Sequence, residues 1–314
     1  MKGINKQIEI ISVNISEKKG TIKKPVDKIV LNENGIKNDA HEAPWHRQIS
    51  LLGVESFEKF EVIAGRKVNY GEFAENITTR GIELYKTHPL DRFTIDKIEL
   101  EVTQIGKKCH GDSCAIYREV GSCVMPKEGI FCRVLNPGTI KPRQLMTYIP
   151  KVFKVLIITL SDRAYKGIYA DKSGPKIKEL TEEFFNKTDR QFEIETIIIP
   201  DDKDQLKQLL LKAKQNKIDF IFTTGGTGIG SRDFTPEIVS ELLDKEIPGI
   251  MENIRIKFGS EKPNALLSRS VAGVMEESLI YSLPGSVRAV QEYLSEIFKT
   301  LIHLKFMLHN LDVH

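Results

Sequence analysis

The hydrophobic pattern changes character once along the chain, near Tyr148-Ile149-Pro150. Before that point, apolar positions come in short alternating or bunched runs. Examples are Gln7-Ile8-Glu9-Ile10-Ile11-Ser12-Val13 and Ile95-Asp96-Lys97-Ile98-Glu99-Leu100-Glu101-Val102. A period of two puts alternate side chains on one face of a sheet, so these runs predict strands. Glu55 to Ala64 departs from it, with Phe57, Phe60 and Ile63 on one side of a predicted helix. Gly121, Gly129 and Asn136-Pro137-Gly138 punctuate the end of the region as turns do. Residues 1–150 are therefore expected to form a partly closed β-barrel.

Beyond Pro150 the apolar runs lengthen and alternate with helical periodicity. Phe153 to Leu160 reads as a strand buried on both faces. Ser173-Gly174-Pro175 opens a helix carrying Ile177, Leu180 and Phe184. Glu193 to Ile199 is a second strand, and Leu206, Leu209, Leu210 and Ala213 mark a second helix. Ile218 to Thr224 is a third strand, and Thr235-Pro236-Glu237 begins a third helix with Thr235 as its N-cap. Val287, Val290, Leu294, Ile297, Leu301, Leu304 and Leu308 predict one closing helix. Strands alternating with helices imply a mostly parallel sheet between two helical layers. The expected fold class is α/β, with a barrel domain (1–150) followed by a three-layer α/β domain (151–314).

Candidate chemistry gathers at the predicted carboxyl ends of three strands. There lie Ser161-Asp162-Arg163, then Asp201-Asp202, then the segment Thr223 to Glu237, which contains Thr224-Gly225-Gly226-Thr227-Gly228. In open α/β sheets ligands bind at that edge. Glycines there let the backbone close on a ligand with its N–H groups exposed, and a strand–glycine turn–helix order collects phosphates. Arg232 is a candidate phosphate partner. Asp201 and Asp233 are a candidate magnesium pair, because magnesium takes one or two carboxylates together with substrate phosphates. Asp162 and Asp202, taken alone, read as solvated cap or turn residues. The segment lacks Gly-Lys-Ser/Thr, G-x-G-x-x-G and G-x-S-x-G, which sets aside three other glycine motifs.

Composition alters this picture little. A hydrophobic share of 40% with 28% charged residues is ordinary for a globular chain. The net charge of +3 gives no reason to expect nucleic acid or an anionic membrane as partner. No apolar run is long enough to span a bilayer, and the first residues lack an apolar signal core, so a cytoplasmic location is expected. The four cysteines, Cys109, Cys114, Cys123 and Cys132, fit no common zinc spacing and are expected to be reduced. Cys123 and Cys132 read as small buried hydrophobes.

From about residue 152 the chain resembles the molybdopterin adenylyltransferase family (MogA/MoaB-like). The matching pieces are Leu160-Ser161-Asp162-Arg163, Gly167 to Gly174, Ile199-Pro200-Asp201, Thr224 to Glu237, Ile247-Pro248-Gly249, Leu267-Ser268-Arg269 and Leu283-Pro284-Gly285-Ser286. The resemblance implies magnesium-dependent transfer of AMP from ATP to the terminal phosphate of molybdopterin, with release of pyrophosphate. It makes Asp201 and Asp233 the essential carboxylates. It places Ser161, Asp162, Thr224, Gly225, Gly226, Thr227, Gly228 and Glu237 at the substrate, and Ser268, Gly285 and Ser286 along the pterin pocket. It also implies a homotrimer and, downstream, a molybdate-inserting enzyme.

The first half resembles the MOSC domain of molybdenum cofactor sulfurases. The resemblance lies in Gly35 to His41, Trp45 to Leu52, Gly71 to Thr79, Gln104 to His110, Cys114-Ala115-Ile116 and Asn136 to Ile140. It implies a β-barrel that binds the molybdenum cofactor, with Cys114 or Cys109 as metal or sulfur ligand and Arg47 and His41 as further contacts. Asn38 replaces a usual glycine, and Lys141-Pro142-Arg143-Gln144 replaces a usual Gly-Asp turn. The leading expectation is an enzyme of molybdenum cofactor biosynthesis. Two alternatives stand beside it: a non-catalytic cofactor carrier, and a molybdenum redox enzyme acting on N-hydroxylated compounds.

Overall fold

A computed structural model describes residues 6–108 and 124–311. The chain divides into two units, the first made of the residues up to Lys151 together with Asn310 and Leu311, the second of Val152–His309. No helix among the described residues is long and apolar enough to cross a membrane.

The first unit contains β1 (Lys6–Ile15), β2 (Lys24–Val26), β3 (Ile29–Asn32), β4 (Gly35–Ile36), β5 (Ile49–Gly53), α1 (Val54–Ala64), β6 (Ile77–Arg80), β7 (Arg92–Ile95), β8 (Ile98–Ile105), α2 (Met125–Glu128), β9 (Ile130–Asn136), β10 (Thr139–Ile140) and β11 (Leu145–Ile149). The main sheet runs β11-β7-β8-β9-β5-β6-β1-β2. It closes because β1 also pairs with β11, Ile8 opposite Met146. The barrel is thus closed by seven strands, where the sequence suggested partial closure; β1 is long enough to serve three partners in succession. Ile8, Ile10, Leu51, Ile77, Phe93, Leu100, Val102, Ile130 and Met146 fill it, all fully buried. Cys132 lies in this core as expected, and burial pushes its thiol well above the usual range. Helix α1 buries Phe57 and Phe60 against Phe73, but Ile63 is exposed. Six residues at 100° each carry Ile63 away from the stripe that Phe57 and Phe60 share.

The second unit contains β12 (Val152–Leu160), α3 (Asp162–Tyr165), α4 (Ser173–Lys187), β13 (Gln191–Ile199), α5 (Lys203–Gln215), β14 (Phe220–Thr224), α6 (Thr235–Leu242), β15 (Lys245–Glu246), α7 (Pro248–Gly259), β16 (Ala272–Met275), β17 (Ser278–Leu283), α8 (Val287–Ile297) and α9 (Leu301–Leu308). Its sheet runs β13-β12-β14-β17-β16-β15. The first three of these pairings are parallel, and the last two antiparallel. On one face Leu156, Ile158, Leu160, Ile221 and Ile280 meet Leu206, Leu210 and Val239 from α5 and α6. On the other, Phe153, Phe185 and Phe220 pack with ring centres 5.3–5.7 Å apart. The predicted closing helix is two helices, α8 and α9, interrupted at Phe298–Thr300. The break lets Phe298 stack on Phe184 at 4.5 Å. Helix α9 is fixed by a buried ion pair, Lys305 Nζ to Asp219 Oδ1 at 2.8 Å, and Lys305 also donates to the Glu277 carbonyl at 2.6 Å.

Because β13 and β14 lie on opposite sides of β12, the chain reverses its winding there. The carboxyl ends of β12 and β14 therefore flank a topological switch point, the crevice where such sheets take ligands. Replacing Lys305 by Met removes the cation that faces the buried Asp219 carboxylate. A loss of about 3–5 kcal/mol in unfolding free energy is expected, read by denaturant titration of the second unit's helical signal.

Candidate functional site

Four segments converge at the switch point of the second unit. Strand β12 ends at Leu160, and Ser161 caps α3 by accepting the Ala164 N–H at 3.3 Å. The Ser161 hydroxyl also lies 3.1 Å from the Tyr169 phenol. Asp162 is not the cap its position suggested, since Ser161 holds that place. Its Oδ1 accepts the Asp201 N–H at 3.0 Å, and Asp201 Oδ2 accepts the Asp162 N–H at 3.4 Å, which ties the ends of β12 and β13 together. The Arg232 guanidinium, arriving from the glycine segment, pairs with Asp162 and stands 3.4 Å from Asp201 Oδ2. That guanidinium holds the Asp162 carboxyl below the usual carboxylate range. Asp202 is the N-cap of α5, accepting the Gln205 N–H at 2.9 Å, as its sequence position suggested.

The glycine segment leaves β14 at Thr224, whose hydroxyl donates to the Pro284 carbonyl at 3.0 Å. Gly225 and Gly226 sit at φ +102° and +64°. A side chain at Gly225 would collide with the Leu160 carbonyl, and one at Gly226 with the Thr235 hydroxyl. These two glycines are required by conformation and by space. Gly285 packs directly over the Gly225 backbone. Ser286 is the N-cap of α8, accepting the Ala289 N–H at 3.2 Å, so its hydroxyl has a structural partner.

Thr235 does not cap α6. Its hydroxyl donates to the Gly225 carbonyl at 2.9 Å and its N–H to the Gly226 carbonyl at 3.1 Å, while Phe234 takes the cap position. Asp233 turns back into the loop, its Oδ2 accepting the Gly230 N–H at 2.8 Å. The contacts thus join Asp201 to Asp162 and Arg232, while Asp233 closes its own turn. Ser268 Oγ lies 2.9 Å from Ser270 Oγ, in a segment held by Arg255 from α7 through the Ser270 carbonyl at 3.1 Å. Burial pushes the Glu237 carboxyl up, but its ion pair with Arg269 outweighs that and holds it low. Arg269 is the site residue that sequence reasoning passed over. It stood inside a matching motif, yet no spacing tells which loop a side chain some forty positions away will reach.

Among the described residues no group of three or more His, Cys, Asp and Glu side chains is arranged to hold a metal. Asp162 and Asp201 nevertheless present hard oxygen donors to one cationic group, the guanidinium of Arg232. Such a donor set suits a divalent ion that takes its remaining ligands from substrate phosphates.

In the first unit a cavity of about 230 Å³ is lined by His41, Trp45, Arg47, Asn76, Lys107 and Phe131, among others. The Arg47 guanidinium lies 4.7 Å from the Trp45 ring centre and 5.9 Å from that of Phe131. Arg47 Nε and Trp45 Nε1 are buried without a hydrogen-bond partner among the described residues. Buried donors of this kind call for an acceptor, so the wall fits an anionic or oxygen-rich ligand. His41, itself part of the lining, is oriented by Asp39, 3.3 Å away, and Asp39 pairs with the buried Lys23 at 2.6 Å. Burial lowers the Lys23 pKa, while the Lys23 charge and the His41 hydrogen bond keep Asp39 ionised against its own burial. Both family departures fall at left-handed positions, Asn38 at φ +67° and Arg143 at +71°, so the turns they replace keep a backbone that glycine would also adopt. Cys109, Cys114 and Cys123 lie outside the described residues.

Together these features define an α/β unit built to hold an anionic ligand at its switch point, preceded by a barrel with a donor-lined cavity. Residues 156–303 match the family model described as a probable molybdopterin binding domain, and residues 38–145 match that of the MOSC domain. A molybdopterin adenylyltransferase of Helicobacter pylori is 37% identical over 147 residues, covering 46% of this chain and 81% of that protein. One from Pyrococcus furiosus is 39% identical over 169 residues, covering 50% of this chain and 94% of the other. The solved structure of the molybdopterin biosynthesis enzyme MoaB from Thermus thermophilus is 36% identical, covering 51% of this chain and 98% of that one with a TM-score of 0.46. The chain belongs to the molybdopterin adenylyltransferase family, a family of nucleotidyltransferases, and carries a MOSC domain ahead of that unit.

Between the cavity-lining Ala74 and Asn76 stands Glu75, fully buried, with Oε2 lacking a partner among the described residues. Burial raises its carboxyl from 4.5 to about 7. The folded state therefore keeps this proton where the unfolded state has lost it. Stability present below about pH 4.5 falls as pH rises towards 7, by on the order of 3 kcal/mol. Glu75→Gln is expected to flatten that slope, measured by denaturant unfolding of the first unit at a series of pH values.

Proposed function

We propose that the second unit transfers AMP from ATP to molybdopterin. The observation that carries this reading is the meeting of Asp162, Asp201 and Arg232 beside the glycine loop at one sheet edge. The family to which the chain belongs supports the choice of substrate. The loop amides hold the terminal phosphate of molybdopterin, and Ser268 and Gly285 border the pterin side. Asp201 and Asp162 receive the cation that accompanies the nucleotide, and Arg232 is then free to meet phosphate oxygens. Asp233 keeps the loop closed by accepting the Gly230 N–H. Magnesium, when bound there, supplies charge neutralisation across the triphosphate.

The transfer needs no covalent nucleophile. An oxygen of the pterin phosphate bonds to the α-phosphorus of ATP, and the bond from that phosphorus to the bridging oxygen breaks to release pyrophosphate. Catalysis then consists of positioning two anions and offsetting their repulsion, which the loop amides and Arg232 perform, while Asp162 and Asp201 would hold the cation. The adenylylated pterin would serve a molybdate-inserting partner, and assembly as a homo-oligomer belongs to the same proposal.

For the first unit we propose binding of the molybdenum cofactor in the donor-lined cavity, its phosphate against Arg47 and its oxygen or sulfur atoms towards Trp45 Nε1. Cys114 or Cys109 is the thiol to act on the metal or to carry sulfur.

Incubation of the full chain with ATP, magnesium and molybdopterin should yield adenylylated pterin and pyrophosphate. Asp201→Asn should lower kcat/KM at least about 100-fold with little change in melting temperature, since the side chain is half-buried and its hydrogen bonds are long. Equal turnover by wild type and variant would remove the proposed role. In the first unit, Arg47→Gln is expected to reduce molybdenum retained on purification several-fold, by metal analysis, while AMP transfer is unchanged.

A further inference from the structure

Four consecutive carbonyls of the glycine segment are engaged by only two residues. Thr235 takes the carbonyls of Gly225 and Gly226 through its hydroxyl and its N–H, at 2.9 and 3.1 Å. Arg269 takes the next two. Its backbone N–H donates to the Thr227 carbonyl at 3.0 Å and its Nε to the Gly228 carbonyl at 2.6 Å. Its Nη2 reaches further, to the Asp233 carbonyl at 2.5 Å, so one guanidinium grips both ends of the turn that contains Arg232. The third nitrogen, Nη1, pairs with Glu237 on α6.

A trans peptide places the N–H of each residue opposite the preceding carbonyl. Drawing the carbonyls of residues 225–228 onto Thr235 and Arg269 therefore turns the N–H groups of Gly226, Thr227, Gly228 and Ile229 the other way. None of these four N–H groups meets an acceptor among the described residues. A run of unsatisfied donors on a glycine turn with positive φ is an anion-binding concavity. We infer that Arg269 is the positioning residue of this cradle. Through Gly228 and Asp233 it sets the polarity of the loop, so that the backbone offers donors to a phosphate-bearing substrate. Arg255 in turn steadies the segment carrying Arg269, by way of the Ser270 carbonyl. A planar fork with fixed donors is needed for this grip, and a lysine cannot reproduce it.

The inference rests on reading this edge as the substrate-phosphate site, and its test separates the two. With glycine-selective 15N labelling of the full chain, inorganic phosphate is titrated without nucleotide or pterin. Saturable shifts of the Gly226 and Gly228 amides are expected in the wild type, and an apparent Kd at least 10-fold weaker in Arg269→Lys. Absence of these shifts in the wild type, or equal Kd values in the two proteins, would overturn the inference whatever the transfer assay shows. If phosphate binds as expected but no adenylylated pterin forms, the proposed reaction fails and the cradle stands.

In the transfer assay, Arg269→Lys should raise KM for the pterin substrate 10-fold or more with kcat within about 3-fold, because a held phosphate contributes to ground and transition states alike. Arg269→Ala should recover when ethylguanidinium is added. If Arg269→Ala fails to melt cooperatively, Arg269→Lys decides alone; a fall in kcat with unchanged KM would contradict the assignment.

Discussion

The site depends on where the backbone points at the end of β14. A peptide group carries a donor and an acceptor on opposite edges, so a loop can face a ligand with one kind of group only if something holds the other kind. Here Thr235 and Arg269 hold four successive carbonyls, and the amides that remain face away from them. Gly225 and Gly226 make the bend possible, at φ values and with clearances that no side chain tolerates. Without that arrangement the nearby acids would only repel a phosphorylated ligand.

The α/β sheet supplies the frame. Its parallel strands bring Asp162, Asp201 and the glycine segment to one edge because all three follow strands that run in the same direction. The acids are then cross-linked through each other's backbone N–H groups, and Arg232 spans them from the third strand's loop. A cationic side chain between two carboxylates keeps their charges from opposing one another. The barrel of the first unit solves a different problem. Its cavity has a cation over aromatic rings and two buried donors with no acceptor among the described residues, a wall suited to an anionic or oxygen-rich ligand. Among the described residues both units therefore hold donors without partners, the first in side chains and the second in main chain.

Much of this was legible before any coordinates. Apolar runs such as Phe153 to Leu160 located the strands. The alternation with helices gave the layer order, and the glycine segment with its flanking acids marked the site edge. The departures are local and physical. Ile63 points to solvent because the helical stripe drifts away from it. Thr235 looked like an N-cap because it precedes a proline, but tertiary contact with Gly225 recruited its hydroxyl instead. The apolar periodicity from Val287 to Leu308 could not show a break, since Ile297 and Leu301, on either side of it, are both fully buried.

The sequence alone determined the composition of each layer, the places where strands end and the residues able to bend there, because periodicity and glycine content are local properties. Which acids meet, and which carbonyls are covered, was decided only by the tertiary structure. Asp162 joins Asp201 across thirty-nine positions, and Arg269 reaches Gly228 across forty-one. Contacts at such separations follow from strand order and loop packing, and neither is written in the spacing of residues along the chain.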